Sequence, residues 1–270
     1  SGGGAAGAIT ITTGNNNIIT LVSSTLTAVG GAKNGTGTQG AGATINFDDP
    51  VALTTGTATI TTGATAGDIA FDQTVNGGVA LTLTAGTGNI DFNAAVGGDT
   101  PLLLSTIVSA GTVDTDGVFL SAGLTWTATT EIQTDFLVTS TAAVTLAAAT
   151  VDINAGITTT AGGSAGLVTL NASTLVELAG NIVTEANASA SDTTISGAVA
   201  ITVTGTGTVN LVGEIVTTGD ANTGGVGAAG GAVTITTNNG AVAISDITTS
   251  GGATSNTNSG GGVAGAITIT

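Results

Sequence analysis

The stretch DIAFDQTVNGGVALTLTAGTGNIDFNAAV, residues 68–96, contains two copies of one phrase separated by an alternating strand. The phrase is Ile-x-Phe-x-x-x-Val, and it occurs at residues 69–75 and 90–96. Between the copies, VALTLT (79–84) alternates aliphatic residues with Ala or Thr, which is the period-two pattern of a strand with one buried side. This stretch therefore predicts a repeat made of short strands.

The same pattern extends along most of the chain. A further copy of the phrase lies at 45–51, and looser copies with an aliphatic residue in place of Phe lie at 151–157, 176–182, 209–215 and 242–247. Alternating strands precede the copies, at 7–12, 57–62, 142–147, 166–171, 198–203, 231–236 and 265–270. Residues 100–140 fit less regularly, with Leu124 and Trp126 in the first strand position and Ile132 in the second. Each repeat thus reads as strand, turn, strand, turn, short third strand and a connection back.

These repeats predict an all-β fold, a parallel β-helix of about ten coils. A repeat of roughly 21 to 34 residues is too small to bury its own apolar side, but stacked repeats bury it together. Phe47, Phe71 and Phe92 are then expected to stack as a ladder inside the core. The alternative is a β-sandwich, which also uses short strands joined by turns.

The chain begins SGGGAAGAITIT (1–12) and ends SGGGVAGAITIT (259–270). We interpret residues 1–270 as a single β-solenoid domain. Neither end has the polar cap that a solenoid needs to cover its last strand edge. The expectation is that coils continue past both ends, either in a longer chain or in an identical subunit that docks head-to-tail.

The composition excludes several classes of partner. Of the 270 residues, 45 are Gly and 7% are charged, and the formal net charge is −16. Lys33 is the only basic side chain, so nucleic acids and anionic membranes meet no cluster of basic residues. No apolar run reaches the ~18 residues of a membrane-spanning helix, so membrane insertion of this segment is not expected. With no Cys, the chain has no disulfide framework.

The sequence predicts that the protein is not an enzyme and carries no organic cofactor. With no His and no Cys, neither a Ser-His nor a Cys-His nucleophile can form, and a zinc site is disfavoured. The enzyme alternative for a β-helix is a polysaccharide lyase or hydrolase. A hydrolase needs two carboxylates on one surface, for which Asp114 with Asp116 or Asp48 with Asp49 are the candidates.

Calcium is the one metal for which the sequence offers candidate ligands. Hard cations bind several oxygen atoms at once. TVDTDG (112–117) offers Asp114 and Asp116, and NFDDP (46–50) offers Asp48 and Asp49. The competing interpretation is that these are ordinary turn residues, since Asp-Gly and Asp-Pro pairs are common in turns.

Thr-x-Thr pairs mark the polar side of many alternating strands. They occur at Thr10/Thr12, Thr59/Thr61, Thr82/Thr84, Thr125/Thr127, Thr202/Thr204, Thr234/Thr236 and Thr268/Thr270. A flat solenoid surface of such pairs resembles ice-binding proteins, which leaves ice binding as an alternative function. The simpler interpretation is outward Thr on strands whose other side is Ile or Val.

The stretches 68–84 and 79–113 resemble the β-strand repeats of filamentous-haemagglutinin-like and related giant bacterial surface adhesins. The resemblance covers nearly the whole chain and is one of repeat style. It implies a right-handed parallel β-helix, export from the cell, and a role as a stalk, fibre or adhesin. The predicted function is therefore an extracellular or cell-surface structural fibre. Its partners are expected to be copies of itself or further repeats, with cell-surface or matrix polysaccharide as an additional partner.

Overall fold

The computed structural model describes residues 1–15, 17–161, 165–186, 195–222, 226–254 and 260–270. Across these residues the protein is all-β, without a helix, and the strands pair mostly in parallel. No described segment forms a helix of the length and hydrophobicity that crossing a membrane requires. The parallel β-helix prediction is confirmed, and the β-sandwich alternative is wrong because its sheets are antiparallel. Right-handedness stays a prediction.

The described residues form twenty-seven strands. The first fourteen are β1 Ile9–Ile11, β2 Ile19–Val22, β3 Thr25–Thr27, β4 Ile45–Phe47, β5 Val51–Thr55, β6 Ala58–Thr61, β7 Ile69–Phe71, β8 Val75–Asn76, β9 Ala80–Thr84, β10 Ile90–Phe92, β11 Leu104–Ser109, β12 Thr112–Thr115, β13 Phe119–Ser121 and β14 Leu124–Thr127. The others are β15 Glu131–Thr134, β16 Val138–Ser140, β17 Val144–Ile153, β18 Gly156–Ala161, β19 Val168–Leu178, β20 Asn181–Ala186, β21 Val199–Val203, β22 Thr208–Leu211, β23 Ile215–Thr218, β24 Val233–Thr237, β25 Val242–Ile244, β26 Ile247–Ser250 and β27 Ile267–Ile269.

The chain divides into two compact units. The first comprises Ser1–Ser121 with Thr125–Phe136, and the second comprises Ala122–Leu124 with Leu137–Thr270. The single domain predicted for residues 1–270 stays a prediction.

The first unit is a stack of coils, and each coil has three faces. Its first face stacks β3, β6, β9, β11 and β14, and its second face stacks β1, β4, β7, β10, β12 and β15. Its third face stacks β2, β5 and β8, and continues through single bridges from Val75 to Val96 and from Val96 to Phe119. From β6 onward the chain visits the faces in the predicted order of alternating strand, Ile-x-Phe strand and short strand.

The second unit repeats this arrangement with longer strands. Its first face stacks the beginning of β17, the beginning of β19, β21, β24 and β27. Its second face stacks the ends of β17 and β19 with β22 and β25, and its third face stacks β16, β18, β20, β23 and β26. In both units most strands bury alternate residues, because successive side chains in a strand point to opposite sides. The strands β1, β3, β25, β26 and β27 have no fully buried residue.

Aromatic residues fill the core of the first unit. Phe47, Phe71 and Phe92 form the predicted ladder, with ring centroids 4.8 and 5.2 Å apart and planes within 4° of parallel. Two further aromatic rings, Phe119 and Trp126, pack edge to face at 4.8 Å and continue the aromatic core. Both are fully buried. The ladder prediction is confirmed, and its spacing follows from the ~4.8 Å between neighbouring strands.

The position of the opening strand corrects one expectation. GAITIT at 7–12 was expected to belong with the alternating strands of the first face. Instead, β1 pairs with β4 on the second face, Ile9 opposite Ile45 and Ile11 opposite Phe47. The physical reason is that both kinds of strand alternate with period two, so a short Ile-x-Ile strand matches either column.

Candidate functional site

The outward side of the second face in the first unit carries a ladder of carboxylates and amides. Between the buried positions of its strands, and just after them, lie the members of this acidic ladder: Asn46, Asp48, Asp72, Asp91, Asn93, Asp114, Asp116, Gln133 and Asp135. They lie together because parallel in-register strands place equivalent residues of successive coils side by side. Any chemistry of this surface therefore depends on how its charges are spaced.

Amide side chains separate the charges in the first part of the ladder. Asp72 accepts a hydrogen bond from Asn46 Nδ2 at 3.2 Å and another from Asn93 Nδ2 at 3.0 Å. Both oxygens of Asp72 are thus satisfied by neutral donors from the coils on either side. This part of the ladder is a structural hydrogen-bond network.

Carboxylates converge further along the ladder, at Asp114, Asp116 and Asp135, which we call the Asp114 cluster. One oxygen from each of the three lies within 4.8 Å of the other two. Gln133 Nε2 donates to Asp135 Oδ1 at 2.9 Å, whereas Asp114 Oδ1 is buried and accepts no hydrogen bond from the described residues. The cluster therefore concentrates negative charge around one half-buried carboxylate.

Burial and repulsion both act on this part of the ladder. Burial is the main cause that raises the pKa of Asp114 above its ordinary value, and the charges of Asp116 and Asp135 raise that pKa further. Burial also raises the pKa of Asp91, with the Asp114 charge as the next cause. Proton binding is therefore favoured at both carboxyl groups in the folded protein, and a cation close by would relieve the same repulsion.

A shallow depression of about 210 Å³ lies beside Asp114, lined by Asn89, Asp91, Glu131 and Gln133 among others. Its lining is rich in oxygen atoms, the ligands that hard cations prefer. The sequence identified Asp114 and Asp116 as candidates but missed Asp135. The signal for Asp135 was its place directly after the second-face strand β15, which matches the place of Asp116 after β12.

The other predicted calcium ligands, Asp48 and Asp49, lie outside the Asp114 cluster. Asp49 is buried, and its Oδ2 accepts hydrogen bonds from the Thr13 amide, from Thr13 Oγ1 at 2.9 Å and from Thr12 Oγ1 at 3.3 Å. The Thr13 amide is the main cause that lowers the pKa of Asp49. Asp48 accepts a hydrogen bond from Asn46. Calcium binding at this pair stays a prediction.

The raised pKa of Asp114 leads to a testable pH dependence. Because the folded state favours protonated Asp114, its contribution to stability is complete below pH 3.8 and is lost as the pH rises through the raised pKa. At pH 7 the Asp114→Asn variant is therefore expected to be more stable than the original by about 0.5 kcal/mol, the scale of a screened surface charge. Urea titration at pH 7 and pH 3 measures the difference, which should vanish at pH 3.

Asp49→Asn is the matched control, because its carboxylate is stabilised in the fold. The contribution of a carboxyl group with a lowered pKa is present above pH 3.8 and is lost as the pH falls. This variant should be less stable than the original at pH 7. A destabilising Asp114→Asn at pH 7 would show that the cluster is not repulsive.

The Thr-x-Thr pairs lie on the outward side of the first face, with one exception. In the first unit Thr25, Thr59 and Thr82 form one column, and the register places Thr27, Thr61 and Thr84 in a second. In the second unit Ala147, Asn171 and Ala200 interrupt the corresponding columns. Thr10 lies opposite Asn46 on the second face, so the Thr10/Thr12 pair does not belong to this array. Ice binding, which needs an unbroken flat surface, stays an untested alternative.

In the described part of the chain, few residues form a surface of the kind that binds or cleaves a polysaccharide. Trp126, the only tryptophan, is fully buried and cannot present a stacking surface to a sugar. A depression of about 460 Å³ is lined by Lys33, Gln39, Thr38 and Thr65, with Ala32 and Gly37, and none of these residues is a carboxylate. The enzyme alternative stays a prediction, with Asp114 and Asp116 or Asp48 and Asp49 as its candidate carboxylate pairs.

No protein-family profile, curated protein or solved structure matches this chain.

Proposed function

We propose that this chain is a structural segment of an extracellular or cell-surface fibre or adhesin stalk. Its coils stack by parallel strand pairing, and copies or further repeats join end to end by the same pairing. The function is mechanical, because hydrogen bonds along the stacking direction and continuous side-chain ladders resist bending. The high negative charge keeps such an assembly soluble.

One observation carries the proposal: within each unit, equivalent strands of successive coils pair in parallel and in register. The buried columns that result are Ile45, Ile69 and Ile90 in the first unit and Val168, Val199 and Val233 in the second. Each coil therefore joins the next by the same backbone pairing and the same aliphatic contacts. A repeat of this kind lengthens by adding coils, which is how solenoid proteins form extended structures.

Sedimentation velocity over a concentration series tests the self-association. We expect species that grow with concentration and persist at high salt, because strand pairing and apolar burial resist screening whereas surface charge pairs do not. A single monomeric species throughout the series would contradict end-to-end joining. Antibody labelling of intact and of lysed source cells tests the location, and labelling that requires lysis would contradict a surface fibre.

Calcium binding at the Asp114 cluster is a second candidate function, favoured by the three converging carboxylates and the buried Asp114 Oδ1. We expect millimolar Ca²⁺ to raise the melting temperature more than Mg²⁺ at equal ionic strength, since Ca²⁺ accepts more irregular oxygen geometry. Asp116→Asn should abolish the difference, and Asp246→Asn, which removes an exposed carboxylate from the second unit, should leave it unchanged. Equal effects of both cations would contradict a calcium site, because they would show that the cations only screen the negative charge of the cluster.

A further inference from the structure

The aromatic ladder of the first unit ends at two buried threonines. In the register of the second face, Phe92 lies opposite Thr115, and Thr115 lies opposite Thr134. Both threonines are 0% exposed, so they lie in the core at the positions that Phe47 and Phe71 occupy in earlier coils. We call Thr115 and Thr134 the threonine pair. The inward side of the second face therefore changes here from aromatic rings to hydroxyl groups.

The hydroxyl groups of the threonine pair have no hydrogen-bond partner among the described residues. Both Oγ1 atoms are buried, and neither makes a hydrogen bond there. A hydroxyl group that is removed from water without gaining a hydrogen bond costs free energy, which is why buried polar groups are nearly always paired. Two such groups in neighbouring strands therefore require an explanation.

Other inward hydroxyl groups of the protein are paired. Thr159, which is also 0% exposed, donates through Oγ1 to the carbonyl oxygen of Gly166 at 2.9 Å. Ser105 Oγ accepts the hydrogen bond of the Trp126 indole at 3.0 Å. In the part of the chain that the structure describes, the threonine pair alone leaves buried hydroxyl groups without a partner. The fold thus satisfies inward hydroxyl groups elsewhere, and these two positions differ from the rest.

The spacing of the threonine pair suits a bridging water molecule. In-register residues of neighbouring strands lie ~4.8 Å apart, and equivalent side-chain atoms share that spacing when their rotamers agree. This is too far for a direct bond between hydroxyl groups, which spans ~2.8 Å. A water oxygen ~2.8 Å from each hydroxyl oxygen would make two hydrogen bonds at an angle of about 118°, close to the tetrahedral geometry that water prefers.

The surroundings of the threonine pair are more polar and less filled by side chains of their own column than the core of earlier coils. Each Thr is smaller than the Phe residues that precede it in the column, and Trp126 lies nearby with its ring stacked on Phe92 at 6.3 Å. Ser121, on the third face of the same coil as Thr115, brings a further buried hydroxyl group to this level of the core. A closed site with several hydroxyl groups is the kind in which proteins hold buried water, typically on about two to four polar partners.

We propose that the threonine pair binds one water molecule inside the first unit, bridging Thr115 Oγ1 and Thr134 Oγ1. The water pairs both hydroxyl groups and links two successive coils at the level where the aromatic ladder ends. This site goes beyond the proposed function, because it is a ligand site in the core and does not depend on joining between copies.

Valine variants test the bridge, because Val has the branched shape of Thr without its hydroxyl group. Thr115→Val or Thr134→Val alone leaves the water with one partner of the pair, so each is expected to lower the urea midpoint of unfolding. Thr115→Val/Thr134→Val removes both hydroxyl groups and the water together, so its loss should be smaller than the sum of the two single losses.

The opposite sign would overturn the proposal. If no water is bound, each single variant removes an unpaired buried hydroxyl group and should raise the urea midpoint, with the two gains adding in the double variant. Thr159→Val is the matched control, since it removes an equally buried hydroxyl group whose partner is the Gly166 carbonyl. It should lower the midpoint whether or not the threonine pair holds water.

A direct count of bound water completes the test. Magnetic relaxation dispersion of the solvent in a dilute solution counts the water molecules that stay inside a protein for longer than its tumbling time. The original chain is expected to hold one more such molecule than Thr115→Val/Thr134→Val, and the same number as Thr159→Val. Equal counts in the original chain and the double variant would overturn the proposal and leave the proposed function untouched.

Discussion

Replacing Trp126 with alanine is expected to lower the free energy of unfolding by about 4 kcal/mol, the scale of a large aromatic side chain removed from a packed core. Trp126 is fully buried. Its ring packs edge to face on Phe119 at 4.8 Å and stacks on Phe92 at 6.3 Å. Its Nε1 donates a hydrogen bond to Ser105 Oγ at 3.0 Å. The variant leaves a cavity, removes one of the ring contacts of Phe92 and of Phe119, and leaves a buried hydroxyl without its donor.

Trp126→Phe separates the ring from the hydrogen bond. It keeps an aromatic ring in the core but leaves the buried Ser105 hydroxyl without its donor, so a loss of about 1–3 kcal/mol is expected. Urea denaturation followed by circular dichroism suits all three proteins, because the only tryptophan is the residue replaced. If Trp126→Ala unfolded at the same urea concentration as the original chain, the aromatic core would not support the first unit.

The second large effect concerns a column of glycines in the second unit. A Cβ on Gly197 would lie 2.1 Å from the carbonyl oxygen of Gly166, and one on Gly231 would lie 2.1 Å from that of Gly197. Gly197→Ala is expected to destabilise the chain by about 3 kcal/mol, at the upper end of overpacking effects. The added methyl group meets backbone, which can yield only by moving a coil.

Thermal denaturation of Gly197→Ala measures this loss, with Gly7→Ala as the matched control. The control adds the same methyl group at an open position and should leave the melting temperature nearly unchanged. Equal melting temperatures for the two variants would mean that the coils are not as closely stacked as the glycine column requires.

Much of the fold could be predicted because the same residue types recur at the same spacing in successive repeats. Ile69, Phe71 and Val75 recur at a fixed spacing, and their stacking follows once the coils are parallel and in register. The β12 strand was missed because Thr115 stands where the phrase has Phe. The prediction that β1 lies on the first face was wrong. Short strands of both kinds alternate with period two, so the pattern of residues does not tell which face such a strand joins.

The candidate site was less predictable for a geometric reason. Asp114 and Asp116 are neighbours in sequence and were identified together, whereas Asp135 joins them from the next coil. Whether Asp135 lies beside Asp114 and Asp116 depends on the length of the coil between them, which the spacing of neighbouring residues does not give. Likewise, only the structure shows that Asp49 is engaged by Thr12 and Thr13, which lie far from it in sequence.

The interruption of the Thr columns was partly visible in the sequence. Single Thr residues at 142–147 and 166–171 already broke the array, and the register then placed Ala200 in a Thr column. The outward side of the first face therefore varies along the second unit, while its first two inward positions stay aliphatic, with Val, Leu or Ile in each paired strand. This difference is expected of a protein whose core, rather than its surface, is repeated.

Electron cryo-microscopy of the assembled chain is the most direct test of the central claim, that parallel coils stack end to end into a fibre. The power spectrum of the images reports any axial repeat between strands. The account predicts long fibres with a layer line near 4.8 Å along the fibre axis, since each strand is perpendicular to the stacking direction. Discrete particles of one chain at every concentration, or fibres without that layer line, would contradict it.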